Sequence, residues 1–396
     1  MTAEDWLETV AVLWPGARVD VVGHDAADAR PGQREFAFLP DAERPRLLLP
    51  SSPRAAATAL RRYSHDLTIP QRVSRSLAAT AMRTGLPQRT LRDRLRVVED
   101  GRSGSIEDRL GGILGEPVVV SVGLGTARAN RKPILHVLSR TGRPLAFVKV
   151  GDTGTARDLV AQEAAALEFL SNTGLESVAV PRVLHHGPWN ELTLLVLSPL
   201  PTSARGWRPR RNVPVAAMRE LFAVAGVASG TLAGSRFWTR LRDVPARVSD
   251  AEEAGRLNSV IDRVGRAYGD QPLRFGAWHG DWTPWNMAWH RGKVQLWDWE
   301  RFARDVPAGF DLLHCNLQEA MRTAPGRPYA TWPVGGIRSL TEFGVTGRAA
   351  AATLELYFVE LCCRYLLAAQ GPTGAPLRDQ ADRLLSLLQI NAGRSA

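Results

Sequence analysis

The chain has 396 residues, of which 44% are hydrophobic and 23% are charged, the balance of an ordinary globular protein longer than one typical domain. Its formal net charge of +10 raises nucleic acid or an acidic substrate as a partner. No apolar run approaches the roughly 20 residues of a membrane span, and the acidic N-terminus lacks the basic start of a signal peptide. We therefore expect a cytoplasmic protein of two or three compact units, with no membrane span.

The basic residues are spread along the whole chain and are almost all arginine. Only Lys132, Lys149 and Lys293 are lysines among 50 basic residues. An arginine-favouring composition explains the charge more simply than a nucleic-acid surface, so nucleic acid is not the partner that we expect. The three cysteines, two of them adjacent, fit neither a disulfide framework nor a metal-binding spacing.

The sequence pattern of residues 1–104 predicts a small α/β module of unknown role. Short alternating runs separated by Gly, Pro and Asp are typical of strands, and longer periodic runs follow them. The predicted strands are Arg18–Val22, Glu35–Leu39 and Arg46–Leu49, and the predicted helices are Ser52–Tyr63, Gln71–Thr84 and an arginine-rich Pro87–Val98. The polar run at 99–104 has the composition of a linker.

Residues 105–199 predict a five-stranded antiparallel sheet with one long helix. A short helix at Ile106–Leu114 precedes the sheet, and an amphipathic helix at Ala156–Ser171 interrupts it. The predicted strands are Val118–Val122, Ile134–Leu138, Leu145–Val150, Arg182–His186 and Thr193–Leu197.

Residues 200–396 are predicted to be mainly helical, with a short hairpin. The predicted helices are Val215–Leu232, Glu252–Ala267, Gly309–Arg322, Arg348–Gln370 and Leu377–Asn391, and the strands are Phe275–Trp278, Met287–Trp289 and Val294–Trp297. We therefore predict an α+β, protein-kinase-like bilobal fold, with an N-lobe at 105–199 and a C-lobe at 200–396.

A motif of the form H-x-D-x-x-x-x-N, typical of a kinase catalytic loop, runs from His279 to Asn286. Phosphoryl transfer needs a carboxylate to orient the attacking hydroxyl and oxygen ligands to hold Mg²⁺. Asp281 is the candidate catalytic base, and Asn286 is a candidate magnesium ligand. Asp298 follows an apolar strand twelve residues later, where a kinase has its main metal-binding aspartate. His279 is interpreted as a structural residue that ties the loop to the core.

A lysine inside an apolar strand stands out in a chain with so few lysines. Lys149 lies in the third predicted strand of the sheet, where a kinase lysine binds the α- and β-phosphates and is held by a helix glutamate. Glu163 is the candidate partner, and Glu168 is the rival on another face of the helix. Gly123 and Gly125 lie between two strands, where backbone amides can cover phosphates.

On these residues the region from about 105 to 390 resembles the aminoglycoside phosphotransferase and choline kinase family. Further agreement comes from Asp298-Trp299-Glu300 and from the helix start Gly309-Phe310-Asp311-Leu312. The resemblance implies Asp281 as the base, ATP and Mg²⁺ as cofactors, and Leu197 and Pro199 in a hinge that faces adenine. It also implies Asp311 as a structural brace and Glu300 as a candidate ligand of a second metal ion.

The resemblance implies a small-molecule kinase with a hydroxyl acceptor. The acceptor expected from the basic C-lobe is a neutral or anionic sugar or glycan intermediate, while an aminoglycoside or choline-type acceptor is the alternative within the family. A pseudokinase or a nucleic-acid-binding protein, using the arginine-rich Pro87–Val98 segment, is the non-enzyme alternative. The tryptophans of the C-lobe, Trp282 and Trp285 among them, are interpreted as core residues in preference to a stacking or ammonium-binding surface.

Overall fold

The computed structural model describes residues 3–23, 32–61, 69–84, 93–99, 104–124, 133–201, 213–323, 335–371 and 374–390. They divide into two compact units. The first contains the described residues up to 124 together with 133–164 and 181–200, and the second contains 165–180 and the described residues from 201 onward. Within the described part of the chain, no helix is both long and apolar enough to cross a lipid bilayer.

The first unit is built on one nine-stranded sheet in which every neighbouring pair of strands is antiparallel. Its strands are β1 (Arg18–Val22), β2 (Gln33–Leu39), β3 (Leu47–Pro50), β4 (Arg94–Val98), β5 (Val118–Gly123), β6 (Ile134–Ser139), β7 (Pro144–Gly151), β9 (Val183–Trp189) and β10 (Leu192–Leu197), while β8 (Val178–Ala179) belongs to the second unit. The order across the sheet is β1-β4-β2-β3-β5-β6-β7-β10-β9. The five strands predicted for the N-lobe therefore lie side by side, as a kinase-like sheet requires.

Among the described residues, five helices begin in the first unit. They are α1 (Ala3–Ala11), α2 (Pro53–Leu60), α3 (Ile69–Met82), α4 (Ile106–Leu114) and α5 (Gly154–Ser171). The N-terminus of α4 has a capping box. The Ser105 hydroxyl accepts a hydrogen bond from the Asp108 amide, and the Asp108 carboxylate accepts one from the Ser105 amide. This cap fixes the start of the helix at the residue where the sequence predicted it.

The sheet continues through the boundary that the sequence predicted at residue 104. Leu47 and Leu48 of β3 pair with Gly123 and Val122 of β5. One buried hydrophobic cluster contains residues from both sides of this boundary. Its members include Trp6, Trp14, Phe36, Leu48, Leu95, Val120, Leu135, Val148 and Leu194. The predicted module thus shares a sheet and a core with the kinase-like strands, because β3 is apolar on both faces and needs a partner strand to cover its edge.

The prediction of an arginine-rich helix at Pro87–Val98 is wrong for the part of this segment that the structure describes. Residues 94–98 form β4, between β1 and β2, while 87–92 lie outside the described residues. Leu95 and Val97 are fully buried on one face, and Arg94 and Arg96 both bind the carboxylate of Glu35 on β2, at 3.0 and 2.6 Å. The carboxylate of Glu35 on the neighbouring strand neutralises the two arginines. The alternation of buried and charged residues, which repeats every two residues, then outweighs the helix propensity of the segment.

The described residues of the second unit are mainly helical, with two small sheets and six helices of seven or more residues. These six helices are α6 (Val215–Ala223), α7 (Arg236–Arg242), α8 (Ala251–Tyr268), α9 (Phe310–Thr323), α10 (Gly347–Ala369) and α11 (Ala375–Ile390). The further strands are β11 (Ala228–Thr231), β12 (Pro272–Trp278), β13 (Met287–His290), β14 (Lys293–Leu296) and β15 (Ala303–Pro307), in sheets of order β11-β12-β15 and β13-β14-β8.

The predicted helix at Val215–Leu232 is shorter than expected. It ends at Ala223, and Gly226 adopts a φ of +82° three residues later. A left-handed glycine after a helix is a usual stop signal. The chain then reverses into β11, whose residues Ala228–Thr231 pair with β12, the strand that leads into the catalytic loop.

Candidate active site

The catalytic loop of the motif connects β12 to β13. Its glycine, Gly280, has a φ of +84°, and a Cβ built there would lie 2.3 Å from the carbonyl oxygen of Arg301. Neither the conformation nor the space admits a side chain. Glycine between the histidine and the aspartate is thus a steric requirement of this turn.

Asp311, in the first turn of α9, holds the backbone of this loop. Its two carboxylate oxygens accept from the amides of His279, at 2.8 Å, and Gly280, at 3.1 Å. Burial raises the pKa of Asp311 to about 7, against the effect of these two amides. The contacts are those that the proposed bracing role needs.

The ring of His279 links the loop to the strand that carries the metal-binding candidates. Its Nδ1 accepts from the amide of Asp281 at 3.1 Å, and its Nε2 lies 3.2 Å from the carbonyl oxygen of Trp297. Burial lowers the pKa of His279 to about 4, so the ring is neutral and Nε2 donates to that carbonyl. His279 therefore fixes both Asp281 and the residue before Asp298.

Asp281 lies at the open side of the loop, with its side chain 33% exposed. Asn286 Nδ2 donates to Asp281 Oδ2 at 2.8 Å and to its backbone oxygen at 3.0 Å. Because both partners are oxygens, the orientation of the Asn286 amide is determined, and Oδ1 is the atom it can offer to a cation. The asparagine thus orients Asp281 and can serve as a metal ligand.

Asp298 and Glu300 follow β14, and each offers a carboxylate oxygen within 4.8 Å of the other. Asp298 has a φ of +74°, a left-handed conformation that is uncommon for residues other than glycine and often marks a functional site. The amide of Trp297 donates to the Asn286 carbonyl at 3.1 Å, joining the two segments. Carboxylate and amide oxygens are hard ligands, so the donor set fits Mg²⁺.

In the first unit, Lys149 on β7 and Glu163 on α5 form a buried ion pair. Lys149 is 9% exposed and Glu163 is fully buried, whereas the rival Glu168 is exposed. The structure therefore selects Glu163 as the partner of the lysine. Burying an ion pair is rarely favoured for stability alone, which points to a functional reason for the pair.

The other predicted nucleotide-binding residues also lie in the first unit. Gly123 ends β5, pairing with Ile134 of β6, while Gly125 lies outside the described residues. Leu197 ends β10 and is buried. Pro199 follows two residues later, after Ser198, whose hydroxyl accepts from the Arg182 amide at 2.8 Å.

Two residues that touch the loop have no motif in the sequence. His314 of α9 lies with its Nε2 3.0 Å from Asp281 Oδ1, and Arg364 of α10 donates to the Gly280 carbonyl at 2.6 Å while its guanidinium lies 5.1 Å from the Trp278 ring. Their only sequence signal is a polar residue among mainly apolar neighbours, as in Leu312-Leu313-His314-Cys315 and Cys362-Cys363-Arg364-Tyr365.

The tryptophans around the loop are mostly core residues. Trp282 and Trp299 are fully buried, and the Trp299 ring packs edge-on against His279 with centroids 4.5 Å apart. Trp285 is half-buried. This geometry agrees with the packing interpretation for Trp282 and Trp299.

The fold and these residues define a small-molecule phosphotransferase of the protein-kinase-like fold. Its features are an antiparallel sheet with a buried lysine–glutamate pair, and a helical unit in which the H-x-D-x-x-x-x-N loop precedes a β-hairpin. The model of the phosphotransferase enzyme family (APH) matches residues 136–333, half of the chain. The chain belongs to this family, and the resemblance noted in the sequence is confirmed.

Solved structures that are similar to this chain include aminoglycoside phosphotransferases and a putative fructosamine-3-kinase. Aminoglycoside phosphotransferase APH(4)-Ia has 14% identity and a TM-score of 0.47, over 71% of this chain and 98% of its own. A putative fructosamine-3-kinase from Haemophilus somnus 129PT has 12% identity and a TM-score of 0.42, over 71% and 96%. A thermostable APH(4)-Ia mutant, in a ternary complex with ADP and hygromycin B, has 13% identity and a TM-score of 0.47, over 72% and 99%. No curated protein sequence matches the chain.

Proposed function

We propose that the protein is a cytoplasmic, Mg²⁺-dependent kinase that transfers the γ-phosphate of ATP to a hydroxyl of a sugar or glycan intermediate. The observation that carries the proposal is Asp281, a partly exposed carboxylate held by the side chains of Asn286 and His314. Such a carboxylate can orient an acceptor hydroxyl and take its proton as the oxygen attacks phosphorus.

The remaining roles follow from the chemistry of each group. Asn286, Asp298 and Glu300 are the proposed ligands of Mg²⁺, which would neutralise charge on the phosphates. Lys149, fixed by Glu163, is proposed to bind the α- and β-phosphates, and backbone amides near Gly123 and Gly125 to cover them. Leu197 and Pro199 are proposed to contact adenine.

The complete set of polar groups favours an enzyme over a pseudokinase, in which one of them is usually replaced. The nucleic-acid alternative relied on an arginine-rich helix at Pro87–Val98. Its described part is a strand in which Arg94 and Arg96 bind Glu35. That segment consequently offers no helical basic face among the described residues.

The acceptor class is inferred from charge. Residues 200–396 contain 25 Lys and Arg against 18 Asp and Glu, and many of the acids are already bound to arginine. Such pairs join Glu253 to Arg378, Glu319 to Arg322, Glu342 to Arg219, Glu355 to Arg263, Glu360 to Arg240 and Asp382 to Arg256. A polycationic aminoglycoside would need unpaired carboxylates to replace its hydration, which favours a neutral or anionic acceptor.

We expect ADP release with sugars or phosphorylated sugars in a panel that also contains choline and kanamycin-type aminoglycosides. The measurement is coupled ADP release at saturating Mg-ATP, with an acceptor-free control to subtract ATP hydrolysis. Turnover of an aminoglycoside with kcat/KM of about 10⁴ M⁻¹s⁻¹ or more would contradict the acceptor class. Choline turnover at that level would support the choline-type alternative instead.

Lys149→Met is expected to raise the KM for ATP and lower kcat while the protein stays folded. The change removes the cation proposed for the phosphates and leaves Glu163 buried without its lysine, so a fall in Tm accompanies it. The exposed Lys293 of β14 supplies the matched control, Lys293→Met, with unchanged ATP kinetics. Equal ATP kinetics for both variants and wild type would show that Lys149 does not bind nucleotide.

A further inference from the structure

Both carboxylate oxygens of Asp281 meet a fixed donor, and only one of these donors belongs to the catalytic motif. Asn286 Nδ2 lies 2.8 Å from Oδ2. His314 Nε2 lies 3.0 Å from Oδ1 and comes from α9, 33 residues further along the chain. Since an ionised carboxylate only accepts hydrogen bonds, Nε2 of His314 must carry the proton.

The second ring nitrogen of His314 explains why the proton is on Nε2. His314 Nδ1 lies 3.0 Å from the hydroxyl of Tyr357 on α10, and both residues are buried. Burial lowers the pKa of His314, against the effect of the hydrogen bond to Asp281. The ring is therefore neutral, and Nδ1 accepts from the tyrosine hydroxyl, which fixes the tautomer.

We infer that His314, held in this tautomer by Tyr357, is a positioning residue for Asp281. The terminal torsion of an aspartate is broad and nearly two-fold, so one donor alone leaves the carboxylate free to turn. Two donors from opposite sides fix its plane and direct the remaining lone pairs toward the acceptor hydroxyl. The inference rests on the proposed role of Asp281 as catalytic base.

The same face of α10 supports the loop a second time. Arg364 lies seven residues after Tyr357, two helical turns along the same face, and donates to the backbone carbonyl of Gly280 at 2.6 Å. One helix therefore holds the backbone of the loop through Arg364 and the orientation of Asp281 through Tyr357 and His314. This arrangement separates holding the loop from orienting the base, so the two can be tested apart.

The test compares His314→Gln with His314→Asn. The glutamine amide reaches the position of Nε2 and can still donate to Asp281, whereas the shorter asparagine reaches only the position of Nδ1. We expect His314→Asn to lower kcat roughly 10- to 100-fold, the scale of a small misplacement of reacting groups, with the KM for ATP unchanged. His314→Gln should keep most of the kcat, and Tyr357→Phe should fall between them.

A spectroscopic measurement checks the tautomer without any acceptor. In ¹⁵N-histidine-labelled protein at pH 7, the His314 signal, assigned as the one that His314→Gln removes, should show a protonated Nε2 and an unprotonated Nδ1. Tyr357→Phe should give a mixture of tautomers. A signal from wild type with Nδ1 protonated would overturn the proposed hydrogen-bond order.

Kinetic controls separate this inference from the proposed function. If wild type shows no acceptor-dependent turnover, or Asp281→Asn remains active, the proposed function fails and the inference with it. If Asp281→Asn is inactive while His314→Asn keeps wild-type kcat, only the positioning role is overturned. Equal losses in His314→Gln and His314→Asn, accompanied by equal falls in Tm, would likewise assign His314 a purely structural role.

Discussion

Asp281→Asn is expected to lower kcat by about 10²–10⁴-fold, the usual contribution of a general base. The amide cannot take the proton of the acceptor hydroxyl. It also presents an N–H group where Asn286 Nδ2 and His314 Nε2 both donate to Asp281, so one of these hydrogen bonds is lost as well. The measurement is acceptor-dependent ADP release, with isothermal titration of Mg-ATP beside it.

Binding of Mg-ATP should survive this change, because Asp281 is not among the proposed metal ligands. The exposed Asp270 provides the control, Asp270→Asn, which makes the same chemical change away from the loop and should leave kcat unaltered. Near wild-type turnover by Asp281→Asn would remove the aspartate from the chemical step. Loss of nucleotide binding in the same variant would instead assign it to the metal site.

A chain that begins at Ser105 is expected to be unfolded or insoluble. The deletion removes β1 to β4 and uncovers β5, whose Val120 and Val122 are fully buried in the intact unit. It also removes Trp6, Trp14 and Phe36 from the cluster that contains these valines. Losing large core side chains costs several kcal/mol each, against a total stability of about 5–15 kcal/mol. The checks are solubility, a circular-dichroism melt and Mg-ATP binding.

A nicked protein is the matched control for this deletion. A protease site placed within residues 100–103 allows the chain to be cut while both pieces keep their contacts. The pieces should elute together and retain Mg-ATP binding, whereas an independent module would separate. A soluble chain from Ser105 that melts like the full protein would show that the first four strands are dispensable.

The sequence alone predicted the residues whose signal is local. The spacing from His279 to Asn286 and the position of Asp298 can be read within twenty residues. The structure gives these segments contacts that fit the prediction, such as the hydrogen bond of the Trp297 amide to the Asn286 carbonyl. Lys149 was found because it is a rare residue in an apolar strand. For its partner, the sequence favoured Glu163 without excluding Glu168, and the structure selects Glu163.

Composition and periodicity also determined most strands, since an alternation of apolar and polar residues is set by the geometry of a single strand. They failed at β4, where Arg94 and Arg96 are stabilised by Glu35, about 60 residues away. The residues of the segment itself do not indicate that this carboxylate will pair with the arginines. They also missed that β3 pairs with β5, because strand order depends on which edges meet in space.

The candidate catalytic groups could therefore be proposed from the sequence, while the contacts that support them were decided by the tertiary structure. His314, Tyr357 and Arg364 come from two helices that are separated from the loop by 33 to 84 residues. A hydrogen bond between such residues exists only after the helices pack, and packing depends on the summed burial of many side chains. A short motif indicates the chemistry of a loop because its residues have a fixed spacing in the sequence. The residues that hold the loop in place are far away in the chain and have no such fixed spacing.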